Sequence, residues 1–448
     1  MRSTIAFGTL WLAALGCGGS SGGNSGVDAA PGNNPPPRIL PGGGIGDGPI
    51  DGVANLYVID ELTRAPIANA QVQIGTQTGT TDSTGLFVAH GVMGAQTVAV
   101  KQTGYKSALW IGANGANMTI DLTPAVDPAP TSAQLSGSIT GFGGLTVASG
   151  HIKTAIITYS QSDGAPDYEN NLATANGTNA CNGLTPGAGC TFTVTARPGS
   201  VALVAVIYDH DLHGTPTDPT DDTYAVMGWA VQTGIAVTAG QDQTGLALTL
   251  IDAGHQNDVT VSFGTVPAGL PNVAAIVGIE TGTADGVIQL PVPLTPTSGS
   301  ATLHAPALSA FSGATYRLSA FANNGTTSTA ITSAVLAHKV TGTALAAGTW
   351  LAPPANVVLT RTTAAWAAEA GAVVQGEDID QSTTHWLGIT AFDGSTSIAI
   401  PDLVALPATG TLDAKATAIG GTIDPTNFSI DTDRDKIAAA VNEPVTIN

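Results

Sequence analysis

Val72-Gln73-Ile74-Gly75, Thr81-Asp82-Ser83-Thr84-Gly85-Leu86-Phe87-Val88 and Val98-Ala99-Val100 are the stretches that decide the fold. Val72 and Ile74 alternate with polar neighbours, the two-residue period of a strand with one face buried. Asp82 to Gly85 is turn chemistry between two strands, with a glycine free to take positive φ. Leu86-Phe87-Val88 then restarts the apolar pattern, and Gly104 lets the chain bend before Tyr105 packs. These are short strands joined by turns.

Widening the window to 50–124 adds Val58-Ile59-Asp60, Thr63, Pro66-Ile67-Ala68-Asn69-Ala70, Gly91-Val92-Met93-Gly94 and Gly104-Tyr105. Taken together, these residues resemble a carboxypeptidase regulatory-like domain, which implies a transthyretin-type sandwich of about seven strands. The resemblance covers about a sixth of the chain and implies a non-catalytic module. A zinc peptidase domain would need His-x-x-Glu or His-Glu-x-x-His. None of the histidines at 90, 151, 210, 213, 255, 304, 338 and 385 has a glutamate three places later.

Beyond 124 the pattern continues. Val126 to Thr131 holds two prolines, which cannot donate to a ladder, and reads as a linker. A second unit over 134–253 carries strands at 155–159, 192–194, 201–208 and 246–250. A third, over 257–360, carries strands at 259–263, 274–279 and 357–360. A faint similarity between the starts of these two units serves only to place boundaries. In 361–448 strands are expected at 362–366, 386–389, 397–401 and 412–418. That region loosely resembles a fibronectin type III-like sandwich, and Ala438-Ala439-Ala440 is expected as a single helical turn. The expected fold class is all-β, with tandem immunoglobulin-like and transthyretin-like β-sandwiches after a disordered N-terminal tether.

Composition agrees. A chain of 448 residues exceeds one core, so about three to four domains are expected. Charged residues are 10% and hydrophobic residues 43%, the reverse of a disordered chain. Thirteen Lys and Arg against 33 Asp and Glu give a formal charge of −20. Such a surface repels phosphate backbones and argues against a nucleic-acid partner.

The N-terminus reads as an address. Met1-Arg2 is followed by an uncharged apolar run over 5–15, shorter than the ~20 residues that span a bilayer. Leu12-Ala13-Ala14-Leu15-Gly16-Cys17 resembles the lipobox of bacterial lipoproteins, which implies acylation of Cys17 as the new N-terminus. An ordinary signal peptide or an uncleaved anchor is the alternative. Gly18 stands where Asp is associated with inner-membrane retention, so the expected location is the outer membrane or cell surface. Residues 18–49, rich in Gly, Ser and Pro, read as a linker from this membrane anchor. Gly19-Ser20-Ser21-Gly22-Gly23 matches the nucleophile-elbow pattern by letter only, lacking the flanking strand and helix it needs.

Candidate chemistry is sparse. Cys181 and Cys190 lie close in sequence in an oxidising compartment, and a structural disulfide is favoured over metal binding. Asp209-His210-Asp211-Leu212-His213-Gly214, followed by Asp218, Asp221 and Asp222, echoes the start of a calcium loop. Asp209, Asp211, His213 and Asp218 are thus candidate metal ligands, for calcium or a transition metal, against the plainer reading of a solvated acidic loop. Asp431-Thr432-Asp433-Arg434-Asp435 shares the alternation but reads as a surface loop. Glu377, Asp378 and Asp380 have the residue types for acid–base work, and nothing in the sequence brings a partner to them, so they read as solvated turn residues. Tyr105 and Trp110 close the first unit. The scattered Trp229, Trp350, Trp366 and Trp386 read as core anchors, with sugar or partner stacking as the rival role.

The expected role is therefore a non-enzymatic, lipid-anchored surface protein presenting binding or spacer modules to a protein or glycan ligand. Calcium-assisted carbohydrate binding or adhesion is the second reading, and a hydrolase with a dispersed site the third.

Overall fold

A computed structural model describes residues 35–126, 132–160, 190–214, 221–281, 286–296, 298–325, 331–381 and 384–447. The expected signal segment over 1–17, with Cys17, and the residues Cys181 and Asp218 lie outside the described residues. The fold is all-β. Its strands form five sheets, and Ile430–Asp433 is the one α-helical turn among the described residues.

The first unit is a two-layer sandwich. One layer holds Leu86–Met93, Asp51–Asp60 and Asn117–Leu122, and the other Gln77–Thr80, Gln71–Ile74, Gln96–Lys101 and Ser107–Ala113. Leu56, Val58, Val72, Ile74, Val98, Val100, Trp110 and Met118 are buried between them. At the turn that opens the sequence argument, Asp82 Oδ1 accepts from the backbone N–H of Thr84 (2.8 Å) and Leu86 (3.0 Å), and Gly85 sits at φ 75°.

Residues 40–49, expected as the end of the tether, are part of the body instead. Leu40 and Ile45 are buried, and Gly44–Gly46 is a strand between Asn117–Leu122 and Phe428–Ser429. The glycines that suggested a linker serve close approach of backbone. A Cβ on Gly44 would collide with the Phe428 carbonyl.

In the second unit one six-stranded sheet curls around its own core. Its strands run Ile152–Tyr159, Gly199–Asp211, Thr223–Val237, Gln243–Leu250, Ala133–Thr140, Cys190–Ala196. All six contribute buried residues to a single cluster. The central strand Gly199–Asp211 is an unbroken apolar run from Val201 to Tyr208, without the alternation of a one-sided strand. Such a run suits burial on both faces. Leu203, Ala205 and Ile207 point into the unit's own core. Val204, Val206 and Tyr208 join a second core with Val261, Phe263, Ile279 and Leu318 of the third unit. Trp229 is fully buried in that shared core, and its Nε1 donates to the His304 carbonyl at 2.9 Å. These two units are not independent beads.

A twelve-stranded sheet links the third unit, the C-terminal region and the first unit. It starts in the third unit (Val287–Gln289, Asn272–Glu280, Thr315–Asn323, Thr332–Val340) and crosses the C-terminal region (Ile437–Ile447, Leu412–Gly421, Ala372–Gln381, Thr384–Ala391). It ends in the first unit at Ser107–Ala113 and the strands beyond. The join to the first unit is parallel, with Leu387 facing Ser107 and Ala391 facing Ile111. The helical turn expected at 438–440 is a strand, because Ile437–Ile447 has a hydrogen-bonding neighbour on either side. Ladder bonds on both edges outweigh alanine's weak preference for helix. Trp110, Trp229, Trp350 and Trp366 are buried, whereas Trp386 is 36% exposed.

Candidate functional site

Two clusters of titratable groups stand out, one at a strand end and one at the seam between the first and C-terminal regions.

Asp209 and Asp211 end the strand Gly199–Asp211 and share one face of it, with His210 on the other. His151, immediately before the adjacent strand Ile152–Tyr159, joins them, and sequence reading did not single it out. Its Nδ1 meets Asp209 Oδ1 at 2.7 Å, and its Nε2 lies 3.5 Å from Asp211 Oδ2. Asp209 Oδ2 also accepts from the Ala148 N–H at 3.2 Å. Asp211 Oδ1 accepts from the His213 N–H at 2.8 Å, and this bond is the main reason its pKa is held below the usual carboxylate range. His213 turns the chain at φ 45°, and its Nε2 lies 3.7 Å from Asp211 Oδ2. On the other face His210 Nε2 meets Asp222 Oδ2 at 2.8 Å and stacks on Tyr224 with ring centroids 4.1 Å apart. Among the described residues no three His, Cys, Asp or Glu side chains converge as a metal site requires. Of the candidate ligands, Asp209, Asp211 and His213 are neighbours, and Asp218 lies outside the described residues.

The seam cluster overturns the reading of Glu377, Asp378 and Asp380 as solvated turn residues. All three lie within the strand Ala372–Gln381, and Glu377 is 2% exposed. Lys106, immediately before Ser107–Ala113, is buried with its Nζ against Asp378 Oδ1 and 3.7 Å from Asp380 Oδ1. Asp380 Oδ1 accepts from His385 Nδ1 at 2.9 Å. Burial works against the Lys106 ammonium, but Asp378 and Asp380 outweigh it and hold its pKa above the ordinary value. Burial also opposes the Asp380 carboxylate, and the His385 bond and Lys106 outweigh it, so its pKa is lowered.

Lys106, Glu377 and Asp378 border a cavity of about 280 Å³, also lined by Glu61, Trp110 and Asp121. Burial, reinforced by repulsion from Glu61, pushes Asp121 up to about 7. Arg64 opposes this from 3.9 Å while donating to Asp431 at 3.1 Å. Asp431 therefore sits on a helical turn docked against the first unit, where a surface loop was expected. Lys106 was invisible to sequence reading because its partner is 272 positions away. The strand 372–381 was missed because acidic residues are depleted in strands and interrupt its apolar pattern.

Cys190 opens the strand Cys190–Ala196 and is fully buried; Cys181 lies outside the described residues. Among the described residues no helix is long and apolar enough to cross a membrane.

No protein-family model and no curated protein matches the sequence. Among solved structures, the chain is similar to the Bacillus anthracis TIE protein at 12% identity and TM-score 0.13, covering 60% of this chain and 45% of that one. This chain thus spans less than half of the TIE protein's length. The fimbrial anchor protein Mfa2 from Porphyromonas gingivalis gives 11% identity and TM-score 0.14, covering 43% of this chain and 78% of that one. A tetra-tandem repeat from the extending region of a large adhesion protein gives 13% identity and TM-score 0.12, covering 88% and 98%. TM-scores of this size leave function to be argued from the chain's own residues.

Proposed function

We propose that the chain is an exported, lipid-anchored, non-enzymatic surface protein that displays a rigid β body close to the membrane. The observation that carries this reading is the uncharged apolar run over 5–15 ending in Gly16-Cys17 ahead of an all-β body. Acyl chains on Cys17 would hold through burial at about 0.8 kcal/mol per CH₂. Packing begins near Leu40, so the tether is shorter than composition implied. The body then stands near the membrane, and its loops are the surfaces offered to a protein or glycan partner. The regulatory-like resemblance of the first unit fits a non-catalytic display module. Cys181 and Cys190 are assigned a structural disulfide, which peptide mapping without reductant would reveal.

Feeding an alkyne-tagged fatty acid to the producing cells tests the anchor. The full chain should take the label, and Cys17→Ala should lose both label and membrane association. An unlabelled Cys17 in a soluble intracellular product would sink the proposal.

One observation favours the adhesion reading in particular. Tyr224 is 53% exposed and stacks on His210, on the face of the strand opposite Asp209 and Asp211. An exposed aromatic ring is a surface on which a sugar can stack. A glycan array probed with residues 35–448, with and without chelator, tests it. Chelator-sensitive binding lost in Tyr224→Ala supports calcium-assisted recognition, and binding indifferent to both changes rejects it.

A further inference from the structure

We propose that Lys106 and Asp378 become joined by an amide bond between their side chains, stapling the first unit to the C-terminal region. The geometry supplies each requirement. Nζ of Lys106 lies against the Asp378 carboxylate, with side-chain exposures of 7% and 18%. The stem of Lys106 crosses Gly388, the residue paired with Asp378 in the sheet, where a side chain longer than a methyl would crowd it. The second oxygen of Asp378, Oδ2, is buried and accepts no hydrogen bond among the described residues. A buried carboxylate oxygen without a donor is costly, and an amide has one carbonyl oxygen to satisfy where the carboxylate has two.

The step needs no external reagent. One proton passes from the Lys106 ammonium to Asp378, an uphill transfer because Asp378 and Asp380 hold Lys106 protonated, and gives the free amine and the carboxylic acid. The nitrogen lone pair attacks Cγ of Asp378 and the new C–N bond forms. A C–O bond breaks, and the departing hydroxyl takes a second nitrogen proton to leave as water. Nothing is oxidised or reduced. Asp380, 3.7 Å from Nζ and fixed by His385, is the carboxylate placed to relay that proton.

The location gives the bond a use. The first unit continues into the twelve-stranded sheet through a single parallel pair, Ser107–Ala113 with Thr384–Ala391. Lys106 and Asp378 flank the start of that pair, and a covalent link there closes a loop containing the second and third units. A body pulled at its membrane end and loaded at its loops would open first at such a seam. The inference does not depend on whether Cys17 is acylated.

The test is peptide mapping of the folded full chain after denaturation and digestion, with intact mass alongside. Wild type should yield the Lys106 and Asp378 peptides as one branched species. Its intact mass should fall short of the sequence by one water, relative to Lys106→Met prepared in the same way. Asp378→Asn should form the same branch with loss of ammonia in place of water, showing that position 378 carries the acyl carbon. Two separate peptides from folded wild type would overturn the proposal. So would a mass deficit that persists in Lys106→Met.

Discussion

Ile45 lies between Met118 and Phe428, paired with each across an antiparallel ladder and wholly removed from solvent. One residue from the end of a Gly- and Pro-rich stretch thereby holds a strand of the first unit to the C-terminal region. A fragment beginning at residue 50 loses this strand and leaves the apolar faces around Met118 and Phe428 open. Fragment 35–448 is therefore expected to be distinctly more stable than 50–448. Ile45→Ala alone is expected to cost about 2–5 kcal/mol. Urea unfolding of the three proteins checks this, and equal midpoints would mean the strand is ornamental.

Trp229 is expected to couple the second and third units. Its ring fills the core they share, and its N–H is committed to the His304 carbonyl. Trp229→Ala should cost about 3–5 kcal/mol, with the orphaned carbonyl included. The informative readout is cooperativity. Hydrogen exchange should report loosening of Val261 and Leu318 in the third unit as well as Val204 and Val206 in the second. Loosening confined to the second unit would restore the picture of separate modules.

Thr81 makes a smaller case. Its buried Oγ1 donates to the Ile67 carbonyl at 2.8 Å and accepts from the Ala70 N–H at 2.9 Å. Thr81→Val keeps the shape and removes both bonds, with an expected cost of about 1–3 kcal/mol. Thr81→Ser should recover most of it. If Val and Ser variants melt alike, the methyl group and not the hydroxyl is what position 81 requires.

The fold class was legible because period-two patterns and turn residues act locally, as 72–74 and 82–85 illustrate. The unalternated run 201–208 also carried a legible signal, burial on both faces, which foretells a shared core. What could not be read was pairing across distance. Lys106 with Asp378, Ile45 with Phe428, and Trp229 with His304 are each made by tertiary folding, and no local pattern encodes them. Composition misled where glycine served close backbone approach at Gly44, and where carboxylates sat inside the strand 372–381. Of the strand-end cluster, the sequence supplied the Asp209–His213 half and missed His151, which immediately precedes the neighbouring strand.

Asp121 gives the chain a measurable pH dependence. Its carboxyl titrates near 3.8 when unperturbed and is pushed up to about 7 in the fold, first by burial and then by Glu61, with Asp431 adding to the repulsion and Arg64 opposing it. Between those two values the folded chain keeps a proton that the unfolded chain has released. Stability from this group is therefore present in mild acid, declines as pH rises from about 4 to 7, and is gone above that. Asp60, Asp380 and Glu280 have lowered pKa values, so their contributions are lost at the acid end, below the ordinary carboxylate range. The optimum should thus fall in mild acid. Asp121→Asn stays neutral throughout, and it should flatten the decline and make the protein more stable than wild type at about pH 8. Melting temperatures across that range decide the matter. An unchanged slope in Asp121→Asn would show that some other group carries the proton.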